Sequence, residues 1–217
     1  NETPKITDEK DYYRVRFNYG YFSPSTRKSF NDKLKIFFGP YFFYSKVEKT
    51  AGRFISQTGE NGLTEDIFRD QYFGGLRSKV VFDNRDDTHH PTRGLLVNAE
   101  ARHAFNLENG QERFTSLKSD LAMYLSFRKD PRMVFALHFG GGKNWGNYPF
   151  YFAQNLGGKT NLRGFRANRF SGDAAAFQNT EIRLKLFNIN TYVITGKFGL
   201  LGFNDVGRVW YENEHSG

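Results

Sequence analysis

The stretch Leu117–Lys118–Ser119–Asp120–Leu121–Ala122–Met123–Tyr124–Leu125 decides how this chain folds. Leu117, Leu121, Met123, Leu125 and then Phe127 share one parity, while Lys118, Asp120 and Tyr124 share the other. A period of two puts neighbouring side chains on opposite faces of a β-strand, and a helix would need apolar residues at i, i+3 and i+4. One face is thus apolar and the other charged.

The same rhythm spreads in both directions. Downstream, Met133, Phe135, Leu137 and Phe139 oppose Val134, Ala136 and His138, and Ile182, Leu184 and Leu186 oppose Glu181, Arg183 and Lys185. Upstream, Leu95, Val97, Ala99 and Ala101 alternate with Asn98, Glu100 and Arg102, and Leu76, Val80 and Phe82 with Arg77, Lys79 and Asp83. Leu34, Ile36 and Phe38 stand against Lys33, Lys35 and Phe37. Tyr13, Val15, Phe17, Tyr19 and Tyr21 stand against Arg14, Arg16, Asn18 and Gly20. A final strand runs from about Val193 to Trp210. No helical periodicity appears. Roughly eight strands result, many of ten or more residues, a length that suits tilted membrane strands better than a soluble sheet.

Composition points the same way. Of 217 residues 18% are aromatic, with 24 Phe and 12 Tyr, and ring side chains girdle transmembrane barrels. The chain is polar overall, with mean hydropathy −0.65. No apolar run approaches the ~18 residues of a membrane helix. Alternation alone also fits a lipocalin-like barrel or a sandwich, in which inside and outside exchange. Strand length and ring content favour the membrane, with charged side chains toward a watery bore and apolar ones toward lipid. Backbone groups cannot stay unpaired in hydrocarbon, so such a sheet has to close. The chain lacks cysteine, which excludes disulfides and thiolate metal sites. The net charge of +8 is spread along strands rather than gathered on one face with aromatic platforms, which argues against nucleic acid.

Turn-rich links at Ser23–Pro24–Ser25, Asp83–Gly94, Arg128–Arg132 and Asn188–Thr191 alternate with longer ones at Glu48–Asp70, Asn106–Arg113 and Gly146–Ala176. Barrels have short periplasmic turns and long external loops, which assigns the first set to the periplasm and the second to the exterior. Asn1 is not an initiator Met, and Glu212–Gly217 reads as the start of another loop. Both ends look cut, leaving a mature or excised piece.

The stretch Asn155–Leu156–Gly157–Gly158–Lys159–Thr160–Asn161–Leu162–Arg163–Gly164–Phe165 precedes a polar loop and then the strand with Glu181. The last strand carries Phe203–Asn204–Asp205–Val206–Gly207–Arg208–Val209–Trp210. Upstream, Asp83–Asn84–Arg85–Asp86–Asp87 leads through Pro91–Thr92–Arg93–Gly94 into another strand. In order and spacing these elements resemble the BamA-like outer-membrane assembly and translocation family, the bacterial surface antigen family, over about Asp83 to Trp210.

The resemblance implies an all-β, transmembrane antiparallel β-barrel of the bacterial outer membrane. It implies that residues 1–217 are the middle of a larger barrel of about 16 strands. In that family the loop Gly146–Ala176 folds into the lumen, carrying the motif Leu162, Arg163, Gly164, Phe165. Arg163 would meet Glu181 and Asp205, Phe203 and Gly207 belong to the strand motif, and Asp83, Pro91, Arg93 and Gly94 belong to a shared periplasmic turn. A guanidinium fork binds carboxylates through two parallel charge-assisted bonds, which supports the pairing. Local pairing of Glu181 with Arg183 and Lys185 is the bland alternative.

The implied function is insertion of outer-membrane proteins or polypeptide translocation, with client strands captured by β-augmentation. Implied partners are the lipid bilayer, unfolded outer-membrane or secreted polypeptides and accessory assembly subunits. A second possibility is a barrel that anchors or secretes a fused N-terminal enzyme, a phosphoesterase or patatin-like lipase; a diffusion porin comes third. No catalytic residue, metal or cofactor is expected. His89 and His90 beside Asp86 and Asp87 lack recurring ligands at metal spacing. Gly140–Gly141–Gly142–Lys143 lacks P-loop spacing, and no nucleophile elbow occurs.

Overall fold

The computed structural model describes residues 12–57, 65–108, 110–128, 131–193 and 195–211. Residues 212–217, read above as a loop, lie outside them. The architecture is one antiparallel sheet. Its strands are β1 (Phe17–Phe22), β2 (Thr26–Ser29), β3 (Leu34–Val47), β4 (Gln71–Asp83), β5 (Gly94–Asn106), β6 (Arg113–Leu125), β7 (Met133–Gly146), β10 (Ala174–Asn190) and β11 (Thr195–Trp210). The order is β1-β3-β4-β5-β6-β7-β10-β11, with β2 also on β3. Two three-residue strands, β8 (Gln154–Leu156) and β9 (Phe170–Gly172), pair separately.

The strands from β3 onward in the main sheet are 13 to 17 residues long. At about 3.3 Å per residue, 13 residues reach about 43 Å, and a tilt near 45° brings that to the ~30 Å of a hydrocarbon core. Each long strand pairs with its sequence neighbour, as a meander of hairpins requires.

The link predicted at Ser23–Pro24–Ser25 is not a turn. Phe22 pairs with Phe42 and Thr26 with Phe38, so β1 and β2 keep one register along β3 and form one interrupted strand. Proline has no N–H to give a ladder, which explains the break. The Pro24 carbonyl folds over Gly39, where an added Cβ would lie 2.0 Å from it. The turn comes at 30–33, closed by the Asn31 carboxamide, which accepts from the N–H of Lys33 and Leu34 at 2.9 and 2.7 Å. Two further expectations need correcting. Tyr13 and Val15 precede β1 rather than forming part of it. The link 84–93 is longer than 107–112, so link length does not alternate strictly.

The two faces differ as the alternation predicts between β4 and β10. On one face Leu117, Leu121 and Leu125 are exposed, and on the other Phe114, Ser116 and Ala122 are buried. The segment between β7 and β10 covers the second face, here called the inner face. Charged side chains collect there. Arg77 pairs with Glu100 at 2.6 Å, and Glu100 also receives Arg102 at 3.2 Å.

One part of the expectation fails. Phe17, Tyr19 and Tyr21, the apolar row of β1, turn inward and line a cavity with Arg77, Glu100 and Arg102. Tyr41, Phe73 and Phe114 are buried on the same face and form the main apolar cluster with Ala104. The inward rings Phe17 and Phe43 therefore meet the covering segment instead of lipid, because that segment brings rings of its own.

Candidate functional site

The segment 147–173 carries an aromatic first half. Tyr148, Tyr151 and Phe152 pack against the inner-face cluster. Phe152 lies 4.8 Å from Phe114 and 4.9 Å from Phe43, ring to ring, and Tyr151 stacks on Phe17 at 5.9 Å. Ser45, fully buried, donates to the Tyr151 hydroxyl at 2.9 Å. Burial pushes the Tyr151 phenol up to about 12 despite that bond. The run Tyr148–Pro149–Phe150–Tyr151–Phe152 was the available sign of this docking. Five aromatic or proline residues inside a loop need something to pack against.

Polar groups then fix the register. Gln154 donates to Asn144 at 2.6 Å and Ser116 at 3.2 Å, all three buried. Such buried amides satisfy one another and so tolerate only one seating. Gly142 makes room, since a Cβ there would meet the Gln154 side-chain oxygen at 2.5 Å. Gly142 of β7 is therefore part of a seat for the segment.

The tip is built around Arg163. Leu156 and Leu162 are buried and cluster with Ala175. Both rest on Gly207, where a Cβ would stand 2.9 and 3.0 Å from their methyls. Asn161 accepts from the Gly157 N–H at 2.8 Å, while Asn179 donates to the Asn161 carbonyl at 2.7 Å. Gly164 follows in the left-handed region at φ 91°, which directs the chain away and leaves Phe165 half-exposed against Phe170.

Between the leucines and this glycine, Arg163 reaches across the inner face. Its Nε and Nη2 donate to the two carboxylate oxygens of Asp205 at 2.8 and 2.5 Å. Its backbone N–H donates to Asp205 as well, at 3.0 Å. Nη1 donates to Glu181 at 2.5 Å, and the guanidinium lies 4.1 Å above the Phe203 ring. The other oxygen of Glu181 accepts from Arg183 at 2.9 and 2.6 Å. The predicted triad and the bland local pair thus coexist as one chain of two cations and two carboxylates. The bonds to Asp205, desolvation notwithstanding, hold the Arg163 guanidinium charged more firmly than an ordinary arginine.

This architecture has a counterpart among known proteins. The signature of the Omp85 superfamily domain matches residues 7–217. The chain belongs to the Omp85 superfamily. No curated protein matches it. Among solved structures it is similar to the crystal structure of BamA from Haemophilus ducreyi lacking POTRA domains 1-3, with 14% identity and a TM-score of 0.72. The match covers 91% of this chain and 42% of that one, so the Omp85 domain seen here spans less than half of that chain.

The Asp83–Gly94 turn of this Omp85 domain is closed by its acids. Asp83 receives Arg85 at 2.9 and 2.8 Å. Asp86 accepts from the Thr92 hydroxyl and the N–H groups of Thr92 and Arg93 at 2.6, 2.9 and 3.0 Å. Desolvation opposes ionisation of Asp86, but these bonds outweigh it and hold the carboxyl at about 2. Pro91 is buried, Arg93 donates to Ser126 at 3.0 Å, and Gly94 has φ 104°, where an added Cβ would lie 2.6 Å from the Asn84 carbonyl oxygen. Asp87 accepts from the backbone N–H of His89 and His90, both at 2.7 Å. The carboxylates beside the histidines are thus occupied by the turn itself.

Proposed function

We propose that this chain is the part of an outer-membrane barrel that inserts outer-membrane proteins or moves polypeptides across the membrane, and that the segment 147–173 is held inside the bore by Arg163. The observation that carries this reading is the Arg163 fork on Asp205 and Glu181, made from the tip of a long segment to two adjacent strands. Membership in the Omp85 superfamily and the BamA-like fold support the membrane setting. Every side chain of the site binds or positions; none is arranged to break a bond. The partners would be the bilayer, unfolded polypeptides and accessory subunits, with client strands recruited by backbone pairing at a strand edge. The link 48–70 and the segment 147–173 would face the cell exterior, and the Asp83–Gly94 turn the periplasm.

The test uses the intact protein in proteoliposomes, with an unfolded porin as client and protease protection as readout. Wild-type protein should speed insertion, and Arg163→Glu should slow it by about tenfold, the factor carried by roughly 1.4 kcal/mol. A wild-type protein that leaves insertion at the rate of empty liposomes would overturn the assembly reading. Unchanged insertion with Arg163→Glu would separate the fork from the function.

A further inference from the structure

The outer face carries a feature that the client-handling reading does not use. The two tryptophans of the sequence, Trp145 on β7 and Trp210 on β11, both sit on it at the end nearest the segment 147–173, and both are exposed. Each has a cation two residues before it. Lys143 Nζ lies 5.5 Å over the Trp145 ring, and the Arg208 guanidinium lies 5.5 Å over the Trp210 ring.

The registers place the two pairs side by side. Ala174 of β10 is flanked by Lys143 on one side and Trp210 on the other, and Ala176 is flanked by Gly141 and Arg208. Two strand spacings, about 10 Å, thus separate the ladders, with only methyls and a glycine on the floor between. Extended lysine and arginine side chains from the two walls reach one group in such a furrow. No Asp or Glu occupies an outer-face position of β6, β7, β10 or β11 among the described residues. Toward the other end the same face is Phe139, Leu137 and Phe135 on β7 and Ile182 and Leu184 on β10.

We infer that this furrow binds the phosphate of an anionic lipid headgroup. The inference rests on the membrane-barrel reading and adds a ligand to it. Trp rings settle at the level of headgroups, where one edge is wet and one apolar. A cation held over each ring stands at that level with no outer-face carboxylate on these strands among the described residues, while the aliphatic and aromatic residues beyond it receive the acyl chains. Lys143 would supply a point charge and Arg208 a planar fork, the two usual phosphate donors.

Because both reporters lie in the site, tryptophan quenching reads it directly. The intact protein is inserted into phosphatidylcholine vesicles with a small fraction of lipid carrying brominated tails, either phosphatidylglycerol or phosphatidylcholine. The signal of a W145F/W210F double variant is subtracted. Wild-type protein should be quenched more by the brominated anionic lipid, with local enrichment of about five-fold per cation. K143Q/R208Q should reduce the two lipids to equal quenching, and high salt should do the same in the wild type. Equal quenching by both lipids in inserted wild-type protein would overturn the site, as would a preference that survives in K143Q, R208Q and the double variant. Quenching by neither lipid would overturn the outward orientation of the rings, and with it the barrel reading.

Discussion

Asp205 receives three hydrogen bonds from Arg163, two from the guanidinium and one from the backbone N–H, across 42 residues of chain. Its side chain is 5% exposed. A carboxylate so enclosed depends on its partner, because removing one member of a buried pair leaves an uncompensated charge. The backbone bond also means that Asp205 fixes the path of the segment, besides the position of one side chain.

Arg163→Glu should therefore release the tip of the segment at a cost of about 3 kcal/mol. Limited trypsin digestion reads this at Lys159, Arg166 and Arg169, where cleavage should become faster while the sheet stays resistant. Arg163→Lys keeps the charge and loses the fork, so it should fall between wild type and reversal. Equal cleavage rates in all three would show that the fork does not hold the segment.

Gly207→Val tests the seat independently of charge. The new side chain would push Leu156 and Leu162 off β11, and overpacking of this kind costs about 1–3 kcal/mol. Protease access to the segment should rise as it does for Arg163→Glu, with heat-modifiability of the barrel on gels retained. A segment as protected as wild type would show that the leucines can repack.

These 217 residues contain no cysteine, so each introduced cysteine is the only one in this stretch. Cysteines at Leu121, Met123 and Leu125 should react with a lipid-dissolved maleimide, whereas those at Lys118 and Asp120 should not. The structure adds Tyr19, Tyr41 and Phe43 to the unreactive set despite their apolar character. Labelling of that second group from lipid would reverse the inner and outer faces.

Asp86 makes the turn sensitive to acid. Its carboxyl falls from an ordinary 3.8 to about 2 in the folded chain, so its contribution is present above about pH 4 and fades as the pH drops toward 2. Protection of the Thr92 and Arg93 amides from hydrogen exchange, taken relative to the intrinsic rate at each pH, should fall through that window. In Asp86→Asn that protection should already be lower at neutral pH and flat across the same range. An acid response unchanged by the substitution would assign it to another group.

Much of this was legible in the residues. The period-two rows of β4 to β10 mark both faces, because a strand exposes alternate side chains whatever surrounds it. Arg163, Glu181 and Asp205 stood out through a family resemblance, and the structure brings them within bonding distance. Other features could not be read locally. The Ser23–Ser25 break looks like a turn until pairing with β3 shows one register on both sides.

Local chemistry determined the strands, their apolar and charged rows, and the need for a partner to the aromatic run 148–152. Only the tertiary structure decided which rings face inward, since a ring on a strand is equally content against lipid or against another ring. That choice belongs to the segment 147–173. Its own rings, its Gln154 and its Arg163 cover the inner face, and contacts between residues so far apart in the chain leave no periodic trace within any one strand.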